Sequence, residues 1–126
     1  MENPYPPFTS ESIQRLLSFL SAFERGDFKD ASDSYMKSGQ NPPQVDELIS
    51  AVYQSGFVFP FDWTSWNWRE ALKSVDTADL LTLRKLMTAF VRSDRFCGGA
   101  MPGLCSDGSV QHILQQLRAF VATGGG

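Results

Sequence analysis

Apolar residues recur along this chain at helical rather than strand spacing, and their interruptions mark where one element gives way to the next. Thr9 and Ser10 are good helix N-cap residues, and Ile13, Leu16, Leu17, Leu20 and Phe23 follow them on one face before Gly26 stops the run. From Asp27 to Asn41 the pattern dissolves, with only Phe28, Tyr35 and Met36 as large apolar residues. This stretch reads as a mostly irregular segment with at most a short strand or helical turn near Tyr35. Asn41-Pro42-Pro43 opens a second helix, since proline is tolerated in a first turn. Its stripe is Val45, Leu48, Ile49, Val52 and Tyr53, and Gly56 sits where a left-handed residue ends a helix.

Phe57 to Phe61 is too apolar for a solvent-facing loop, and Pro60 forbids a helix through it. It reads as a buried extended connection. Asp62 then reads as the N-cap of a third helix, Trp63 to about Val75. A fourth begins near Asp76 or Thr77, with Asp79 in its first turn, and carries Leu80, Leu83, Met87, Phe90 and Val91, flanked by Leu86, to about Phe96. Gly98-Gly99 breaks it, and Ala100 to Ser106 reads as a loop. Ser106 or Asp107 caps a fifth helix with Val110, Ile113, Leu114, Leu117, Phe120 and Val121. The expectation is an all-α, compact single-domain bundle of about five helices with an irregular segment after the first. The domain is residues 1–126, with residues 1–8 a flexible lead and 123–126 a flexible tail.

Two blocks within this pattern carry a resemblance. Tyr53 to Trp66, YQSGFVFPFDWTSW, resembles a Tyr-x-x-Gly-Phe-x-x-Pro-Phe-Asp-Trp-x-x-Trp pattern, and Ala78 to Gly99, ADLLTLRKLMTAFVRSDRFCGG, resembles a second block. Together they are similar to the bacterial family labelled Domain of Unknown Function 6508, over roughly residues 44–120. The resemblance implies a small soluble bacterial protein and transfers no activity. The family pattern has an acid after the Cys97-Gly98 pair; here that position is Gly99, which puts any role of the acid in doubt.

Composition narrows the function classes. One domain of 126 residues can bury a core, and 42% hydrophobic with 20% charged residues argues against global disorder. A net charge of −3 with 11 scattered Lys and Arg disfavours direct nucleic-acid binding. The chain lacks a 20-residue apolar run for a bilayer and a basic-then-apolar leader, so the expectation is a cytoplasmic protein without membrane contact. Cys97 and Cys105 are then reduced thiols.

The chemistry-bearing candidates each have a plain structural alternative. On a helix begun at Trp63, Trp68 falls on the core stripe with Ala71, Leu72 and Val75. Trp63 and Trp66, about 60° apart, fall mostly outside it. They are either covered by Phe57, Phe59 and Phe61 or form an aromatic contact patch of the kind enriched at interfaces. Asp62 is either a cap or an acid in a site. Asp94 falls inside the apolar stripe of the fourth helix and needs a partner: Arg84, Arg92, Arg95 or backbone N–H groups of the next segment. His112, the one histidine, faces solvent opposite Val110, Ile113 and Leu117, which weakens a Cys–His pair. Three Cys and His residues in all are too few for a structural zinc site. GGAMPG lacks the lysine and the strand of a phosphate cradle, so no cofactor or metal is implied.

Two functions remain in view. In the first, the chain is a non-enzymatic module, such as an inhibitor, adaptor or immunity-type factor of mobile elements. It binds a protein partner through Trp63, Trp66, Arg92, Asp94 and Arg95, with homodimerisation through the same patch a variant. In the second, Asp62, Arg92, Asp94 and Arg95 converge in a small-ligand or enzymatic cleft.

Overall fold

The computed structural model describes residues 9–96 and 98–122, and every regular element among them is helical. There are more helices than the pattern of apolar residues predicts, because polar side chains divide and cap the chain where periodicity alone is silent. Residues 1–8 and 123–126, read above as a flexible lead and tail, lie outside the described residues, as does Cys97.

The expected first helix is two. Helix α1 (Ser10–Leu17) is capped by the Thr9 hydroxyl, which accepts the Ser12 N–H at 3.2 Å. At its end the Ser18 hydroxyl donates to the Arg15 carbonyl at 2.5 Å, competing with the backbone for that acceptor. Helix α2 (Leu20–Arg25) resumes at once, so Leu16, Leu20 and Phe23 still share a buried face. Gly26 closes it in the left-handed region at φ 88°.

The segment expected to be irregular contains helix α3 (Ala31–Ser38). Its sequence hides it because Ala31 is its one buried residue, leaving no apolar stripe to read. It is held against residues 100–106 through single groups. The Ser106 hydroxyl accepts the Ser32 N–H at 2.9 Å and donates to the Phe28 carbonyl at 3.3 Å. Helix α4 (Pro43–Gln54) forms as expected, with Val45, Leu48, Ala51 and Val52 buried and Gly56 at φ 81° beyond its end.

A single third helix from Trp63 to Val75 does not form. Instead a 3-10 turn at Trp63–Ser65 gives way to extended backbone at Trp66 (φ −99°, ψ 131°). Helix α5 (Trp68–Leu72) and a second 3-10 turn at Val75–Thr77 follow. The run Asp-Trp-Thr-Ser-Trp-Asn explains the division, because short polar side chains bond locally and compete with a continuing helix. Asp62 holds the Thr64 and Ser65 hydroxyls at 2.6 and 2.8 Å, and Asn67 recaps the chain by accepting the Glu70 N–H at 3.2 Å.

Helix α6 (Leu80–Phe96) starts later than predicted, because Asp79 is its cap and accepts the Thr82 N–H at 2.9 Å. Leu83, Leu86, Met87, Phe90 and Val91 are buried along it. The stretch read as a loop is helix α7 (Ala100–Ser106). Two features set it up. Gly99 turns the chain at φ 96°, and the Asp94 carboxylate on α6 accepts the Met101 N–H at 2.9 Å, supplying a cap from outside. Pro102 in the first turn removes an N–H that has no intrahelical partner there. A Cβ on Gly99 would lie 2.8 Å from Cε1 of Tyr35, so Tyr35 as placed leaves no room for an acidic side chain at this position. Helix α8 (Ser109–Ala122) follows, its Ser109 N–H held by Asp107 at 2.8 Å.

One cluster of buried side chains joins α1, α2, α4, α6, α7 and α8, with Phe57 and Val58 of the connector inside it. Phe28 seals one side by stacking on Phe23 at 4.0 Å.

Candidate functional site

The aromatic connector is fixed by Arg84. Its guanidinium donates to the carbonyls of Gly56 at 2.9 Å and Phe57 at 3.1 Å, and its centre lies 4.9 Å from the Phe59 ring. Burial lowers its pKa from the ordinary arginine value, although five donors and a high intrinsic pKa keep it charged. Phe57 and Val58 are fully buried, Phe59 and Phe61 half-buried, and Pro60 exposed, so the connection is sealed at its start and surfaces at its end.

From there the three tryptophans part company. Trp66 meets Phe61 edge-on at 5.8 Å, and the Lys85 ammonium stands 5.7 Å from both rings. Trp68 meets Phe90 edge-on at 5.2 Å, with the Arg69 guanidinium 4.5 Å over its other surface. Both are half-buried and packed against the core cluster. Trp63 instead reaches the C-terminal end of α6, where its ring lies 5.9 Å from that of Phe96. Phe96 is 79% exposed, an unusual position for a phenylalanine. Arg95 beside it is exposed as well. Trp63 and Phe96 therefore form an aromatic outcrop, and the exposed Arg95 precedes Phe96 in the chain. Phe96 was not among the residues singled out from sequence; its sole signal was that it ends the fourth stripe where Gly98-Gly99 breaks the helix.

Three of the four charged residues of the second sequence reading, Asp62, Arg92 and Asp94, are engaged on separate neighbours. Asp62 is held by its own turn, and the Thr64 hydroxyl first, then Ser65, lowers its pKa below 3.8. Arg92 lies 5.7 Å over the Tyr53 ring on α4, whereas Asp94, two residues on, faces α7 and the Met101 N–H. Arg95 is exposed. None of the four lines either cavity described here. The Met101 N–H that a phosphate cradle would offer is already taken by Asp94.

The thiol chemistry is similarly constrained. Cys105 is buried beside a cavity of about 210 Å³ lined by Phe23, Phe28, Lys29, Ser106 and Gln111. Burial first, then the carboxylates of Asp107 and Asp94, push its pKa up to about 12, so it stands as a neutral thiol at pH 7. His112 is exposed, and among the described residues no three Cys, His, Asp or Glu side chains group as metal ligands would. No helix among them is long and apolar enough to cross a membrane.

A second, more open cavity of about 430 Å³ lies between α5, α6 and α7, lined by Trp68, Arg69, Ser93, Ala100, Leu104 and Asp107. Sequence patterning did not find it, because its residues come from three elements, one read as a loop and one as part of a longer helix.

Fold and surface together define a small all-helical protein whose exposed large apolar residues are Met36, Leu81 and Phe96 among those described. The chain belongs to the Family of unknown function (DUF6508), which matches it over residues 8–123, further towards both ends than the two motif blocks reach. No curated protein and no solved structure matches the chain.

Proposed function

We propose that this protein is a protein-binding module whose contact surface is the outcrop of Trp63 and Phe96, with Arg95 giving polar specificity at its rim. The observation that carries the reading is the 79% exposure of Phe96 against the half-buried Trp63. Leaving a phenylalanine in water forgoes about 1.5–3 kcal/mol of burial, and aromatic and arginine side chains are the types that dominate interface energies. Trp66, packed on Phe61 and the core cluster, is assigned no contact with the partner. Arg92 and Asp94 support the surface by fixing α6 against α4 and α7, rather than by touching the partner.

The test places a photo-crosslinking benzoylphenylalanine at position 96 in cells that express the chain, with sedimentation to define the free protein. A discrete protein adduct lost in Trp63→Ala supports the reading, and an adduct of twice the chain mass makes the partner a second copy. A monomer giving no adduct at this position overturns it.

A further inference from the structure

The open groove between α5, α6 and α7 carries one exposed cation, Arg69, and one exposed anion, Asp107. Arg69 lies over Trp68 and Asp107 accepts the Ser109 N–H, yet neither is in an ion pair with the other or with any described residue. The rest of the lining is mostly apolar, with Trp68, Ala100 and Leu104 beside Gly103 and Ser93. The groove also borders α6, the helix that ends at Phe96. Ser93 lines it, and Phe96 lies three residues later on the same side of α6.

We infer that this groove receives a partner segment in which one apolar side chain is flanked by a basic residue on one side and an acidic residue on the other. The apolar side chain packs against Trp68 and Leu104, the base faces Asp107, and the acid faces Arg69. This assignment deepens the protein-binding reading above and rests on it. The groove has the volume of a ligand pocket but stays open, whereas small-molecule sites enclose most of their ligand. An extended segment that needs cover on one side only fits that shape better. One cation and one anion in the same largely apolar groove select mixed charge, because a second charge of the same sign is repelled by one of them. Nucleic acid fits poorly, since a phosphate backbone would meet the Asp107 carboxylate.

The test titrates three capped peptides into the full chain and follows backbone amide and indole NMR signals. The probes are Lys-Gly-Phe-Gly-Glu, Lys-Gly-Phe-Gly-Lys and Lys-Gly-Ser-Gly-Glu. The expected shifts centre on Trp68, Ser93, Ala100 and Leu104. The mixed-charge Phe peptide should bind about tenfold more tightly than the doubly basic one, and the Ser peptide should produce no saturable shift. Arg69→Glu, at an exposed position, should leave the remaining spectrum intact and reverse the preference toward the doubly basic peptide. Shifts confined to Trp63 and Phe96 would overturn the groove assignment while leaving the outcrop standing. A preference unmoved by Arg69→Glu, or no saturable shift with any peptide, also overturns it. Shifts in the groove alongside a silent position 96 would instead remove the outcrop.

Discussion

Arg84 shows how much a single side chain settles here. The carbonyls of Gly56 and Phe57 belong to buried residues just beyond α4, and the Arg84 guanidinium donates to both. Replacing it with methionine keeps the stem and removes both donors. Arg84→Met should lower unfolding stability by about 2–3 kcal/mol, read from a denaturant midpoint, and Arg84→Lys should recover only part, because an ammonium cannot span both oxygens as the planar fork does. Asp94 is a second such residue. Asp94→Ala removes the acceptor for the Met101 N–H and should cost about 1 kcal/mol, whereas Asp94→Asn, which keeps a carbonyl oxygen there, should cost less. Thermal melts of the two variants, with amide exchange at Met101, distinguish loss of this cap from a general loss of packing.

The elements divide by whether their stabilising groups repeat. Helices α4, α6 and α8 bury runs of apolar side chains at i, i+3 and i+4, and the sequence shows them plainly. Helix α3 buries Ala31 alone, and α7 depends on an aspartate seven residues upstream of its second residue. Neither dependence has a period, so neither was legible. The third helix failed for the opposite reason: Trp68, Ala71, Leu72 and Val75 have helical spacing, but Asp62 and Asn67 each restart the backbone with side-chain bonds. The site follows the same rule. Trp63 was legible as a residue off the core stripe, whereas Trp66, read the same way, packs against the core cluster as Trp68 does. The pairing of Trp63 with Phe96 was not legible, since it joins a turn to the far end of another helix. Arg69 and Asp107 became neighbours of one groove only through the folding of α5 and α7.

For the molecule as a whole, alkaline pH should expose the strain of burying Cys105. Its folded pKa is raised from about 9.0 to about 12, so between those values the unfolded chain loses the proton and the folded chain keeps it. The unfolded state then binds fewer protons, and stability must fall as pH rises through that window, by at most about 1.4 kcal/mol per pH unit. Below pH 9 this group contributes no slope. Urea unfolding of the wild type and of Cys105→Ala from pH 8 to 11 should show a descending limb that the variant partly loses. Parallel slopes would mean that the thiol is not buried as described. In native buffer at pH 8, Cys105 should resist alkylation and become reactive only on unfolding.

The Ser106 hydroxyl, which accepts from Ser32 and donates to Phe28, has a consequence in time rather than in space. Tyr35 also lies over the Gly98-Gly99 turn, but α3 has little apolar burial of its own to hold it once that hydroxyl bond breaks. Local opening free energies follow buried contact, so α3 should detach and rebind many times for each global unfolding event. Native-state hydrogen exchange should find its amides released at a lower free energy than those of α6. Ser106→Ala should speed that release about fivefold, the equivalent of about 1 kcal/mol, while the α6 amides change far less. A limiting protease would then cut first between residues 31 and 38, and the rate of that cut would act as a clock for how often the chain lets this one helix go.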